Sequence, residues 1–235
     1  MTTDPLLSSV FRLLDRWRHF PNYQLERRAD VFFGVYLREV LSREANVELH
    51  EVVIPEFPLK RALIWPDKPT SQSVKVDYVL FAEDLSRVFL VELKTDAGSR
   101  REAQDHYLER AREVGLQKIL EGVREIVLAT SSHQKYHHLV SALAQMGLMT
   151  TPADLREFVY PKPRPGLTKR LRQIEVAETN AEVEVWYIQP EATEGDRCID
   201  FATFAAHVDN HDDPLSVLFA AHLRRWVVPA GSVAP

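Results

Sequence analysis

Asp77, Glu92 and Lys94 are the residues whose types and spacing point most directly to chemistry. They lie within Ser73 to Asp96, which reads as two strands, Val74 to Ala82 and Val88 to Lys94, separated by a polar turn with Glu83, Asp84 and Ser86. A hairpin closed so that residue 83 faces residue 86 sets Asp77 directly across from Glu92, with Lys94 two residues further along the same face. Like charges opposite one another destabilise a ladder, and carboxylates are rarely buried without a partner. A divalent cation held by both carboxylates offsets that cost and leaves the lysine to work beside it. The competing reading is an ordinary ion pair at an exposed strand end, joined by Lys75. The neighbouring residues argue against it: Val79, Phe81, Val88 and Leu90 line one face of the hairpin, and Val76, Tyr78, Leu80, Phe89, Val91 and Leu93 the other. Strands apolar on both faces belong in the middle of a sheet covered by helices on each side, so an α/β fold is expected.

The helices that position such a hairpin can be read on either side of it. Asp4 and Pro5 open a first helix as N-cap and first helical residue, and Leu6, Leu7, Val10, Phe11, Leu14 and Trp17 recur at helical spacing. Pro21 breaks it. A second helix runs from about Tyr23 to Glu44, with Glu26, Asp30, Phe33, Leu37 and Leu41 on one stripe, so that both acids sit at its inward edge. Val47 to Ile54 has strand character, ended by Pro55-Glu56-Phe57-Pro58, and a short strand is expected at Arg61 to Trp65. After the hairpin, Ser99 to Glu121 reads as a long helix whose stripe of Gln104, Leu108, Ala111, Gly115 and Ile119, with Tyr107 at its edge, turns Gln104 and Tyr107 toward the sheet. Arg124 to Thr130 reads as a buried strand, followed by a helix from Ser131-Ser132 through Gln145. Pro161 to Gln173 reads as an exposed basic loop, Glu182 to Gln189 as a strand, and Pro214 to Trp226 as an amphipathic helix; the tail after Val228 is expected to fray.

A carboxylate on one strand and Glu-x-Lys on the next, between a helix with an inward acid and a helix with an inward glutamine, resembles the PD-(D/E)XK nuclease superfamily. The residues carrying the resemblance are Val76-Asp77, Val91-Glu92-Leu93-Lys94, Glu26, and Gln104 with Tyr107, over about the first two-thirds of the chain. Val76 stands where the family motif has proline. The resemblance implies a restriction-endonuclease-like core, a central mixed β-sheet flanked by helices on both faces, spanning residues 1–150. Residues 151–235 would form a C-terminal extension of basic loop, strand and terminal helix packed on the same domain. It also implies magnesium-dependent hydrolysis of phosphodiester bonds, in DNA rather than RNA, with manganese as a substitute. Asp77, Glu92 and the Leu93 carbonyl would hold the metal, and Glu26 would complete its shell, with Asp30 or Glu56 as substitutes. Lys94 would orient or deprotonate a water and stabilise charge on the attacked phosphate. Gln104 and Tyr107 would position the strand or the water. The alternative is a catalytically inactive protein of the same fold that binds nucleic acid or a protein partner.

Composition bounds these readings. With 45% hydrophobic and 27% charged residues among 235, the chain is of ordinary globular type, long enough for one large domain or a domain with an appendage. Its net charge of −5 gives no global attraction to nucleic acid. Nucleic acid must then be held by metal or by a local patch, for which Lys162, Arg164, Lys169, Arg170 and Arg172 are the candidates. A single cysteine, Cys198, rules out an intramolecular disulfide or Cys-rich zinc site and fits a reducing compartment. No stretch reads as an export signal or a membrane span, so a cytoplasmic protein with no membrane partner is expected, with a homodimer or partner protein left open as a source of recognition. His133, His137 and His138, and His207 with His211, Asp212 and Asp213, contain i, i+4 histidine pairs but no third ligand at a known metal spacing; they read as polar helix faces.

Overall fold

The computed structural model describes residues 4–20, 23–66, 73–95, 102–193, 195 and 197–227, except for the side chains of 102–104. Nine helices and seven strands are formed among them, in the order α1 (Pro5–Trp17), α2 (Glu26–Glu44), β1 (Ile54–Lys60), α3 (Arg61–Ile64), β2 (Ser73–Phe81), β3 (Arg87–Leu93), α4 (Glu102–Ala129), α5 (His133–Gln145), β4 (Met149–Thr150), α6 (Leu155–Val159), α7 (Leu167–Leu171), β5 (Glu175–Val176), β6 (Glu182–Gln189), β7 (Cys198–Asp200), α8 (Phe201–Val208) and α9 (Pro214–Trp226). The fold is α/β, and its main sheet has the order β1-β2-β3-β6-β7. β1 and β2 are antiparallel, whereas β6 and β7 are parallel, so the sheet is mixed. None of the described helices is long and apolar enough to cross a membrane.

The chain forms two compact units. One comprises residues 1–53, 91–105 and 185–235, the other 54–90 and 106–184.

The first unit is built on aromatic packing. Phe33 lies 5.5 Å from Phe201, 5.2 Å from Phe204 and 5.2 Å from Phe219, between ring centroids. Phe11 carries α1 into this cluster, stacking on Phe219 and His222. The carboxylate of Asp15 then fastens α1 to α9, accepting from His222 Nδ1 at 2.9 Å and from Trp226 Nε1 at 2.7 Å. Burial alone would raise the Asp15 pKa, but these two hydrogen bonds and the nearby His222 and Arg225 outweigh it and hold the carboxyl below its usual value. Asp4 caps α1 as expected, accepting from the amides of Leu6 and Leu7. Only part of the α1 stripe is inward: Phe11 and Leu14 are buried, whereas Leu6 and Trp17 are exposed. At the far end of α2, His207 and His211 pair with Glu44 and Glu39 at 2.6 and 2.9 Å.

In the second unit the hairpin turn closes with the Ala82 amide donating to the Arg87 carbonyl at 2.9 Å. Residue 82 facing 87 is the same register as 83 facing 86. Within the turn the Ser86 amide and hydroxyl both donate to the Asp84 carboxylate.

Three expectations are corrected. Residues 124–129 are the last turns of α4, not a strand. Val123, Ile126 and Val127 are the buried positions there, at spacings of three and four, and a short apolar run reads alike as strand or as buried helix end. Residues 61–64 are the helix α3, not a strand. Pro55 and Pro58 do not end a strand but lie inside β1, where an edge position spares their missing N–H groups. In α4, Gly115 has φ 78° and ψ 164°, which breaks the helix into two directions. The expected start of that helix at 99–101 and the tail after residue 227 lie outside the described residues.

Candidate functional site

In the first unit, Glu92 and Lys94 follow the period of two: residues i and i+2 of a strand share a face. Lys94 Nζ donates to Glu92 Oε2 at 3.0 Å, and the two residues are 2% and 0% exposed. Leu93 between them is also buried. Although β3 ends at Leu93, the Lys94 amide donates to the Ile188 carbonyl at 2.7 Å, so β6 still holds the backbone here. The charges of such a pair are stripped of water, which costs several kcal/mol per ion, and their mutual attraction does little more than offset that cost. A dry glutamate with an ammonium on one oxygen is therefore poorly explained by stability alone.

Glu26 occupies the first turn of α2 and is half-buried. Asp30 is exposed, which corrects its inward assignment. The buried face of this helix comprises Ala29, Phe33, Tyr36, Leu37, Val40 and Leu41, so the expected positions Phe33, Leu37 and Leu41 are buried while Asp30, nearer the start of the helix, is exposed. Gln104 is in the first turn of α4; its side chain lies outside the described residues. Beside it, Asp105 accepts a hydrogen bond from Tyr187 Oη at 2.8 Å, which ties α4 to β6. Sequence reasoning passed over Asp105, although its neighbour Gln104 marked that helical turn.

In the second unit, Asp77 is half-buried on β2. The β1–β2 ladder keeps one register, Pro55 facing Tyr78 and Phe57 facing Val76, and that register sets Glu56 opposite Asp77. Glu56 has φ 51°, a left-handed conformation uncommon for a residue with a side chain. Its carboxylate meets Lys75 Nζ at 2.5 Å, with both side chains exposed. Glu56 thus joins Asp77 through an edge strand that the prolines had disguised as a strand end.

Tyr107 is 6% exposed, and its hydroxyl donates to the Lys75 carbonyl at 3.1 Å. That bond fixes β2 two residues before Asp77, so in this structure Tyr107 holds the strand.

The basic segment is not simply a loop, which is a further correction. It contains α7, whose Leu167 and Leu171 are buried, entered through Gly166 at φ 92°. Lys162, Arg164, Lys169 and Arg172 are exposed. Arg170 is half-buried, paired with Asp154 at 2.7 Å and stacked over Phe158. Among the described residues no three His, Cys, Asp or Glu side chains gather into a group that could hold a metal ion.

Comparison of the chain with family models, with curated proteins and with solved structures gives no match.

Proposed function

We propose that the protein is a magnesium-dependent nuclease that hydrolyses phosphodiester bonds in DNA, on a restriction-endonuclease-like core. The observation that carries the reading is the buried Glu92–Lys94 pair at the end of a central strand. Support also comes from the hairpin turn, where the Ala82 amide donates to the Arg87 carbonyl, the turn register expected from the sequence. The element order of helix, three strands, long helix and later strand fits this core, with β6 filling the role expected of residues 124–130.

In this reading Asp77, Glu92 and the Leu93 carbonyl hold the cation, all hard oxygen donors of the kind magnesium prefers. Two carboxylates and a carbonyl need no third acidic side chain, and the remaining positions fall to water. When bound, the ion acts as a Lewis acid toward the phosphoryl oxygens. Lys94 passes between the Glu92 carboxylate and the phosphate, where its ammonium stabilises developing negative charge or orients the attacking water. Glu26 or Glu56 adds a carboxylate at the rim, and Gln104 positions the water. Tyr107 keeps Asp77 in place through the Lys75 carbonyl.

Wild-type protein is expected to cut labelled DNA with magnesium or manganese, and Asp77→Asn, Glu92→Gln and Lys94→Ala each to lose cutting with an unchanged circular dichroism spectrum. Full cleavage by all three variants refutes the proposal. The ammonium already on Glu92 favours a second reading, an inactive nuclease-fold protein that binds nucleic acid or a protein partner. Calorimetric titration with magnesium separates the two, since only the nuclease should bind the ion through Asp77 and Glu92.

A further inference from the structure

We propose that the face formed by α5, α6 and the turn before α7 is a proton-linked seat for a nucleic-acid phosphate backbone. The nature of the polyanion rests on the nuclease reading; the position of the seat and its pH dependence go beyond it.

Residues 131–173 carry seven Lys and Arg against two Asp and Glu, a formal charge of +5 in a chain of net −5. Of the two acids, Asp154 is engaged by Arg170 at 2.7 Å, leaving Glu157 to oppose the other cations. Arg156, Lys162, Arg164 and Lys169 are all exposed. Cations so concentrated repel one another, and a line of phosphates relieves that repulsion while releasing counterions.

The segment bearing these charges is fastened down. Gln134 Nε2 donates to the Pro161 carbonyl at 2.6 Å, and Tyr160 Oη donates to the Gln134 carbonyl at 3.1 Å. The Arg164 amide donates to the Phe158 carbonyl at 2.9 Å. Lys162 and Arg164 are thereby held against the first turns of α5 on a short, tied turn, which lowers the ordering cost of gripping a ligand.

The same clamp gathers histidines. His138 Nε2 lies 2.9 Å from Tyr160 Oη, and His137 meets the Tyr160 ring edge-on at 5.4 Å between centroids. His137 is faced by His138 on its own helix, Arg156 on α6, Tyr160 in the turn, and the Ser141 hydroxyl 3.5 Å from its Nδ1. Burial first, then the positive charges of His138 and Arg156, push its pKa below the usual histidine value. A phosphate placed on this face reverses the charge contribution. His137 then takes up a proton as the ligand binds, so affinity rises as pH falls. A merely solvated basic face has no reason to show such linkage.

The test uses the full chain with fluorescein-labelled DNA in EDTA, so that nothing is cut, and reads anisotropy over a range of salt and pH. Lys162→Ala/Arg164→Ala is expected to weaken binding at least about 10-fold and to flatten the log–log salt slope by about 2, one phosphate contact each. His137→Gln should abolish the gain in affinity between about pH 8 and about pH 6. Both variants alter surface or partly exposed positions, and circular dichroism checks their folding. Equal affinity and slope in the double variant overturn the seat, and a pH response that survives in His137→Gln overturns the linkage. The two proposals fail separately. DNA cut with magnesium but held equally by the double variant ends this inference alone; DNA held through Lys162 and Arg164 but never cut ends the nuclease reading alone.

Discussion

Lys94→Met should reveal what the buried lysine does. The substitution keeps the length of the side chain and removes the charge, so Glu92, with its side chain only 1% exposed, loses its ammonium. Breaking one half of a buried pair costs about 3–5 kcal/mol. Two features set the value at the low end. Glu92 retains other interactions, and the carboxylate can escape by taking up a proton, which for a glutamate of ordinary pKa costs about 3.7 kcal/mol at pH 7. A loss of about 3 kcal/mol at pH 7 follows, which for a chain of this size lowers Tm by about 6–12 °C. Protonation becomes easier as pH falls, so at pH 5 the gap to wild type should narrow to about 1 kcal/mol. Urea denaturation at the two pH values measures this. A Lys94→Met protein as stable as wild type at pH 7, or a gap indifferent to pH, would mean that the pair is hydrated in solution and that the burial argument fails. On the nuclease reading proposed above, a magnesium ion at Glu92 would take over the role of the ammonium, and at about ten times its dissociation constant it would return about 1.4 kcal/mol. Glu92→Leu/Lys94→Met, which removes both charges, should be neutral or more stable than wild type by about 1–4 kcal/mol.

Two other substitutions test the supports around the site. Tyr107→Phe removes the hydrogen bond to the Lys75 carbonyl and is expected to cost about 1 kcal/mol by urea melts. On the nuclease reading proposed above, a Tyr107 that holds β2 rather than substrate would lower kcat for cleavage and leave KM near wild type, and a change confined to KM would return Tyr107 to substrate binding. Asp15→Asn tests the link between α1 and α9. Because the folded Asp15 carboxyl is held below its usual value of 3.8, its stabilisation is complete above about pH 5 and is lost as pH falls through the folded pKa. The variant should be less stable at pH 7 and show a shallower acid decline in Tm below about pH 4; parallel wild-type and variant curves there would remove Asp15 from the account.

The parts of the fold that sequence exposed are those where a single period ruled. Asp4 and Pro5 placed the start of α1 at its observed residue; Glu182 to Gln189 and Pro214 to Trp226 came out with their observed ends. The hairpin was legible because its polar turn is short and its strands are rich in branched and aromatic residues. What misled was local chemistry overridden by context. The prolines of β1 look like punctuation, yet at a sheet edge a missing N–H costs nothing. Residues 124–129 look like a strand because six apolar-rich residues carry too little periodicity, whereas the preceding turns of α4 simply continue through them. In α2 the expected stripe is buried at Phe33, Leu37 and Leu41 but not in the first turns, where Leu25 and Ala29 are the buried positions, Glu26 is half-buried and Asp30 is exposed. Asp105 could not be told from an ordinary first-turn acid, since the partner that singles it out, Tyr187, lies 82 residues away.

The rung between Glu56 and Asp77 bears most on how the acids are to be understood. The β1–β2 ladder keeps a steady register from Ile54–Val79 to Lys60–Ser73, which sets Glu56 opposite Asp77. Glu56 nevertheless takes a left-handed backbone at a cost of about 1–2 kcal/mol, with an exposed lysine contact that returns at most about 1. Pro55 and Pro58 restrict the residues before them, Ile54 and Phe57, so they neither impose the left-handed backbone of Glu56 nor require an acid there. Glycine would sit there without strain, and an uncharged residue would not face Asp77 with a like charge. Strain and like charge coincide at the one position opposite the first strand carboxylate, as expected where a site's geometry takes precedence over the ladder. On the metal-site reading proposed above, a cation at Asp77 would make the nearby Glu56 carboxylate favourable instead of repulsive.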